Sequence, residues 1–341
     1  MNYPTVVALL LHLLDSLMPL SIRGGSYNLR YDSRPDNKTV KESLAALPNP
    51  LRKPAQFYSD VRRERPWSER RIRVWQQLAA EHLDIIGFQE ALHRQVLDLH
   101  ELLNLDGNEF SYAGVGRDDG KTGGEYSPVF WRSSRFDLVS TDSFWLSRTH
   151  HTPSRYPGAS CKRVCTVVRL RPKGSSGPLI SVMSTHLDDQ SEEQRKYGAA
   201  QMLLRARYEE HVHGASVLLF GDFNSTPDGH DSGAYNVSIG AIPGPELEAS
   251  FAKEYSVPSS APDFRLLDLR GETPTGQIEG HFATYTGWSD VNSSGPYKRI
   301  DFIFAGSNSK VRSLSYKVAE NLTDDGCYAS DHRLVIASLE L

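Results

Sequence analysis

Val217-Leu218-Leu219-Phe220-Gly221-Asp222-Phe223-Asn224 sets four apolar residues against a glycine, a carboxylate and an amide. The apolar run has the length of a buried strand, and the Gly-Asp step ends it abruptly. Outward along the chain the arrangement recurs. Leu83 to Phe88 closes on Gln89-Glu90, and Leu179 to Ser184 leads into Thr185-His186-Leu187-Asp188. Arg299 to Phe304 contains Asp301, and Arg333 to Leu339 follows Ser330-Asp331-His332. Near the N-terminus, the stretch from Ile22 ends at Tyr27-Asn28-Leu29-Arg30. Singly, such clusters are strand caps or Asx-type turns. Together, each brings a carboxylate, amide or imidazole and none a nucleophilic Ser or Cys with partners, so they read as one site.

The remaining periodicities set the fold class. Ile72, Val74, Trp75, Leu78 and Ala79 predict a helix from Arg71 to His82, entered through Pro66-Trp67-Ser68-Glu69 with Ser68 as N-cap. Further helices are expected over Arg94–Leu103 and Ser191–His211. Short strands are expected at 110–115, 128–131, 136–144 and 164–170. Residues 32–66 read as a long excursion with little core, and 225–285 as loop-rich. Short strands mixed with a few helices, without strict alternation, give an α+β class: two mixed β-sheets packed as a sandwich with helices on the outer faces. Gly24-Gly25 weaken the first strand, which is expected to be irregular.

Composition narrows the function. The 341 residues carry a net charge of -4, which argues against nucleic-acid binding by charge alone. The basic run from Arg62 to Arg73 reads as a solvated helix start. Val6 to Leu14 is apolar apart from His12, the length of a signal-peptide core and too short to span a bilayer. A signal peptide over 1–20 that leaves 21–341 as one domain, and a secreted monomer, are expected, with an intracellular protein as the alternative. The sequons at Asn37, Asn236, Asn292 and Asn321 agree with a secreted glycoprotein. Cys161, Cys165 and Cys327 make no disulfide framework; the first two would be about 13 Å apart along an extended strand. The pairs His150-His151 and His211 with His213 read as surface positions.

Phosphate-ester hydrolysis needs a hard cation, and Glu90 and Asp331 are suitable oxygen ligands for Mg²⁺. A carboxylate such as Asp222, near a histidine, can deprotonate water. Asn28, Asn224, His186 and His332 can hydrogen-bond the charge that grows on the phosphate oxygens. Asp301 can fix the tautomer of an imidazole.

In this order, Asn28-x-Arg30, Gln89-Glu90, Thr185-His186-x-Asp188, Gly221-Asp222-Phe223-Asn224, Ile300-Asp301-Phe302-Ile303 and Ser330-Asp331-His332 resemble the motifs of the endonuclease/exonuclease/phosphatase superfamily. The resemblance runs from about residue 21 to the C-terminus. Val115 to Gly120, Gly124 to Phe130 and Phe144-Trp145-Leu146-Ser147 resemble its small single-domain microbial branch. It implies a four-layer α/β/β/α, deoxyribonuclease-like fold and hydrolysis of a phosphate mono- or diester by in-line attack of water, with Mg²⁺ or Mn²⁺ as cofactor. It implies Glu90 as metal ligand with Asn28 and Asp331, Asp222 on the attacking water, and Asn28, Asn224 and Arg163 on the phosphate. His332 would pair with Asp301, and His186 would be the other phosphate-side imidazole. The expected substrate is a small phosphorylated metabolite or lipid headgroup, read by loops 32–66, 147–160 and 225–290. A secreted nuclease and a catalytically silent binding protein on the same fold are the alternatives.

Overall fold

The computed structural model describes residues 19–47, 60, 63–107, 109–174, 177–289 and 296–341. In chain order the strands are β1 (Ser21–Asn28), β2 (Ile85–Gln89), β3 (Phe110–Ala113), β4 (Val129–Arg132), β5 (Phe136–Trp145), β6 (Val164–Pro172), β7 (Ile180–His186), β8 (Ser216–Asp222), β9 (Leu266–Asp268), β10 (Ile278–Gly280), β11 (Asp301–Gly306), β12 (Arg312–Val318) and β13 (Val335–Glu340). The helices are α1 (Val40–Ala45), α2 (Trp67–Ala80), α3 (His93–Leu103), α4 (Glu192–His213), α5 (Gly233–Ser238), α6 (Ala249–Glu254) and α7 (Leu269–Glu272). One sheet has seven strands in the order β10-β12-β13-β1-β2-β4-β3, and the other six in the order β5-β6-β7-β8-β11-β9. Both are mixed, since β1–β2 and β7–β8 are parallel and most other pairs antiparallel.

Side-chain alternation assigns the layers. On β8, Leu218 and Phe220 join Ile22, Ile85, Val182 and Ile303 in a core between the sheets. Val217 and Leu219 face the other way, into a core shared with Ala199, Met202 and Ala206 of α4 and Phe251 of α6. Behind the seven-stranded sheet, Ile86 and Phe88 pack with Trp67, Val74 and Leu78 of α2 and Val96 and Leu99 of α3. Helix, sheet, sheet and helix are thus stacked, as expected.

Several local expectations change. β1 is regular despite its two glycines. A Cβ at Gly24 would lie 3.0 Å from the tip of the Phe220 ring, and one at Gly87 on β2 would lie 2.7 Å from Phe220 Cβ. Glycine therefore serves close approach of the two sheets rather than an irregular strand. α2 begins at Trp67 after Pro66, with no side-chain cap, and Ser68 lies inside it with its hydroxyl donating to Asp36. Pro66 itself takes the N-cap position, at φ -51° and ψ 148°, so Ser68, the second helical residue, is not the N-cap. Ser191 does cap α4, accepting from the Gln194 N–H. Within 32–66, α1 is opened by a Thr39–Glu42 capping box and packs Val40 against Ile72 and Leu102. The 225–285 region holds α5, α6, β9, α7 and β10.

The expected signal peptide lies outside the described residues except for 19 and 20. Leu20 already exchanges two backbone hydrogen bonds with Leu341, so pairing starts before residue 21. Asn292 also lies outside the described residues, and Asn37 is exposed. Asn321 is 2% exposed, and its Nδ2 donates to the Ser330 and His332 carbonyls. That amide has no room for a glycan, which corrects its reading as an acceptor. His150 is 3% exposed, not a surface residue. All three cysteines are free. Among the described residues no helix is long and apolar enough to cross a membrane.

Candidate active site

Register builds the centre. His186 on β7 pairs with Asp222 on β8, and Asp222 pairs with Asp301 on β11. Paired residues project to the same face of a sheet. For Asp222 that face is set by Leu218 and Phe220, which point into the core between the sheets. The three polar residues therefore form the end of the apolar inter-sheet layer.

The opposing sheet meets them there. Asn28, the last residue of β1, donates through Nδ2 to Asp222 Oδ2 at 2.9 Å and to Glu90 Oε1 at 3.0 Å. Glu90 follows β2 with φ 57°, a left-handed conformation that costs a non-glycine residue energy and recurs at functional sites. Arg30 and Asn224, at φ 55° and 46°, share this geometry beside the same cavity. Ser330 Oγ donates to the Asn28 carbonyl at 2.7 Å, tying the segment before β13 to the end of β1. His332 is thereby delivered to Asp301, with Nδ1 to Oδ2 at 2.9 Å. Its Nε2 lies 3.6 Å from Asp222 Oδ2, and His186 Nε2 lies 3.5 Å from the same oxygen.

The two imidazoles are driven to opposite charge states. Burial pushes His186 well below its ordinary value, reinforced by Arg163 and Arg117. In keeping with a neutral ring, the Asn224 Nδ2 donates to His186 Nε2 at 3.0 Å. For His332 burial acts in the same direction, but the Asp301 and Asp222 carboxylates outweigh it and lift the group to about 10. Burial and then Asp301 push Asp222 up to about 7, although His332 opposes this. Divergent protonation of adjacent groups is what acid–base work requires.

A cavity of about 590 Å³ opens on this centre, walled by Glu90, Asp222, Asp331 and His332 on one side and by Arg117, Glu125 and Arg163 on another. Arg163 is 4% exposed and its Nη2 donates to Asp189 at 3.0 Å. Its Nη1 is buried without a hydrogen-bond partner among the described residues. Asn28 and Asn224 are less free than their motif reading implied. The second Nδ2 bond of Asn224 goes to the Leu187 carbonyl, so both amides orient their neighbours. Asp188 anchors the start of α4 by accepting from the Gln190 and Ser191 N–H groups.

Three contributors carry no assigned role in the motif reading. Arg117 Nη1 donates to Glu125 Oε2 at 2.6 Å. Burial, then Glu90, raise the Glu125 carboxyl to about 7. Arg70, fully buried on α2, donates to the carbonyls of Leu29, Ala329, Arg30, Tyr31 and Arg65. It bridges the loop after Asn28 to the loop before Asp331. A helix arginine in a run with five others looks like any solvated one in the sequence, so only its burial reveals it.

The carboxylates of the centre fit a hard divalent cation. Glu90 and Asp222 each offer an oxygen within 4.8 Å of the other and of a ring nitrogen of His186. Burial and then repulsion from a neighbouring carboxylate raise Glu125, and Glu90 likewise adds to the burial that raises Asp331. Buried carboxylates that repel one another are relieved by a bound cation.

A two-sheet sandwich with outer helices and an acid, amide and imidazole cluster where its inner strands end defines a deoxyribonuclease-like fold. The chain belongs to the Endonuclease/Exonuclease/phosphatase family, whose model matches residues 25–332. It is similar to an endonuclease/exonuclease/phosphatase from Bacteroides vulgatus, with 27% identity, a TM-score of 0.69, and 94% of this chain and 99% of that chain covered. The mannosyl-6-phosphatase of Bacteroides thetaiotaomicron VPI-5482 shares the fold at 23% identity and a TM-score of 0.66, covering 93% and 99%. So does ANGEL2, a 2',3'-cyclic phosphatase, at 17% identity and a TM-score of 0.60, covering 96% and 97%. No curated protein matches the chain.

Proposed function

We propose that this protein is a divalent-cation-assisted phosphoesterase that hydrolyses the phosphate ester of a small molecule by in-line attack of water. The observation that carries it is Asp222 held 3.5 Å from a neutral His186 and 3.6 Å from a cationic His332, in a cavity lined by both carboxylates and arginines. Glu90 and Asp331 would hold Mg²⁺ or Mn²⁺, with Asn28 fixing Glu90. When bound, the cation supplies positive charge against the phosphate oxygens. Asp222, its Oδ1 accepting from the Asn224 N–H at 2.9 Å, is placed to take the proton of the attacking water. His332, kept protonated by Asp301, directs its Nε2 hydrogen at oxygens that gain charge. Arg163, on the wall of the same cavity, supplies positive charge toward the same anion.

A cavity of about 590 Å³ suits a sugar phosphate or headgroup. A nuclease would favour a basic groove with stacking aromatics, and the net charge of -4 weighs against one. We also propose a secreted location, on the strength of the apolar 6–14 stretch.

The test is a phosphate-release screen over sugar phosphates, inositol phosphates, phospholipid headgroups, diphosphates and nucleic acids, with Mg²⁺ or Mn²⁺ and with EDTA. Turnover of a small ester that EDTA abolishes and Asp222→Asn removes is the expected result. Undiminished turnover in EDTA, or in folded Asp222→Asn, refutes the assignment.

A further inference from the structure

We propose that His150, His151 and Glu254 form a second metal site, outside the hydrolytic cavity, that takes a transition cation of the zinc class. None of the three lines that cavity. The two histidines sit in the turn that follows β5, which is closed by the Trp145 N–H donating to the His150 carbonyl at 2.8 Å. Glu254 is the last residue of α6, far away in sequence. Their geometry brings them to one point. Both imidazole Nε2 atoms lie 2.9 Å from the same carboxylate oxygen, Glu254 Oε2. The two rings stand 3.9 Å apart at 44°. The three ligand atoms all fall within 4.8 Å of one another.

The chemistry of the donors selects the cation. Two imidazoles and one carboxylate are a ligand set for zinc, with water in the fourth position. Mg²⁺ and Ca²⁺ favour oxygen donors throughout. Zinc bonds of about 2.0–2.2 Å in a tetrahedron set neighbouring donors roughly 3.3 Å apart. The observed 2.9 Å separations need to open by only about 0.4 Å to meet that spacing.

One ligand is fixed and one is free to adjust. His150 is held edge-on against Phe251, at 4.9 Å and 87°. The His151 side chain is 66% exposed, which allows the movement and leaves the site open to water. The consequence is structural. A bound ion would clamp the turn after β5 to α6, and the same connection returns through Cys161 and Arg163 to the cavity wall. Its two ends are joined there by the Leu146 N–H donating to the Arg163 carbonyl at 2.9 Å.

The experiment titrates Zn²⁺ into the purified full-length chain under excess Mg²⁺, read by competition with a fluorescent chelator and by thermal denaturation. Wild type should bind one equivalent with micromolar affinity and melt at higher temperature. His151→Ala and Glu254→Gln, both at accessible positions, should each weaken binding by roughly tenfold or more and lose the melting shift. The proposal is overturned if wild type binds no Zn²⁺, or if both variants bind as wild type does. It is equally overturned if Glu90→Gln, rather than these variants, removes the binding, because the ion then belongs to the hydrolytic cluster.

Discussion

Replacing Arg70 by methionine removes a guanidinium that never touches the cavity yet holds two of its walls. Five carbonyls lose a charged donor: Leu29, Arg30 and Tyr31 after β1, Ala329 before β13, and Arg65. Hydrogen bonds from a charged group contribute about 1.5–3 kcal/mol each, so their gross loss is on the order of 10 kcal/mol. Much of this is offset, because a buried guanidinium with only backbone acceptors carries a desolvation cost of several kcal/mol that methionine does not. A net destabilisation of about 3 kcal/mol remains. At roughly 2.1 cal/mol/K per residue, that lowers the melting temperature of a 341-residue chain by about 4 °C. The larger effect falls on activity. The freed loops carry Asn28 on one side and Asp331 with His332 on the other, and a misplacement of about 1 Å can cost about 10²-fold in rate. Arg70→Met should therefore remain folded at 25 °C while kcat falls about 10²-fold and the cation concentration for half-maximal rate rises. Arg70→Lys keeps the charge but cannot span both loops, and should recover stability more than rate. The assay is steady-state hydrolysis across a Mg²⁺ titration, beside calorimetry on the same samples. A folded Arg70→Met with wild-type kcat and wild-type cation dependence refutes the bridging role.

Three further outcomes are expected. Asp222 must be a carboxylate and His332 an imidazolium, so kcat/KM should rise with pH through about 7 and fall through about 10; Asp301→Asn removes a cause of the His332 shift, and a pH profile should show the alkaline limb moving down. Glu209 is fully buried, and although burial raises its carboxyl, Arg169 and Arg205 overcome this and hold it low. Its stabilisation is thus present above the ordinary carboxylate range and lost as pH falls through the depressed value; Glu209→Gln should cost about 3–5 kcal/mol at pH 7 in urea melts and flatten the acid limb of stability. Gly87→Ala sets a methyl 2.7 Å from Phe220 Cβ and should cost about 1–3 kcal/mol with reduced turnover. Gly24→Ala, which meets only the tip of that ring at 3.0 Å, should be the milder of the two in the same melts.

Strand character, which depends on neighbours in the chain, was readable without coordinates. Val217 to Phe220 is a buried strand because four apolar residues precede a breaker, and Asp222 ends it for the same local reason. Helix caps are equally local yet were not read correctly: Ser191 caps α4 and Thr39 caps α1, while Ser68, read as a cap, lies inside α2. The ordered motifs carried the four-layer architecture by resemblance. Relations across the sandwich were not readable. Gly24 and Gly25 looked like defects until Phe220 of the other sheet was seen against Gly24. Arg70 looked solvated until its acceptors were placed around it, and Asn321 looked like a glycan acceptor until its amide was found donating beneath His332. The charge states of His186 and His332 depend on which carboxylates and arginines lie within a few ångströms, a property of packing and not of sequence spacing. Alternation along a strand is written locally; which strands become neighbours, in what register and facing which opposite sheet, is fixed only when the whole apolar surface is buried at once.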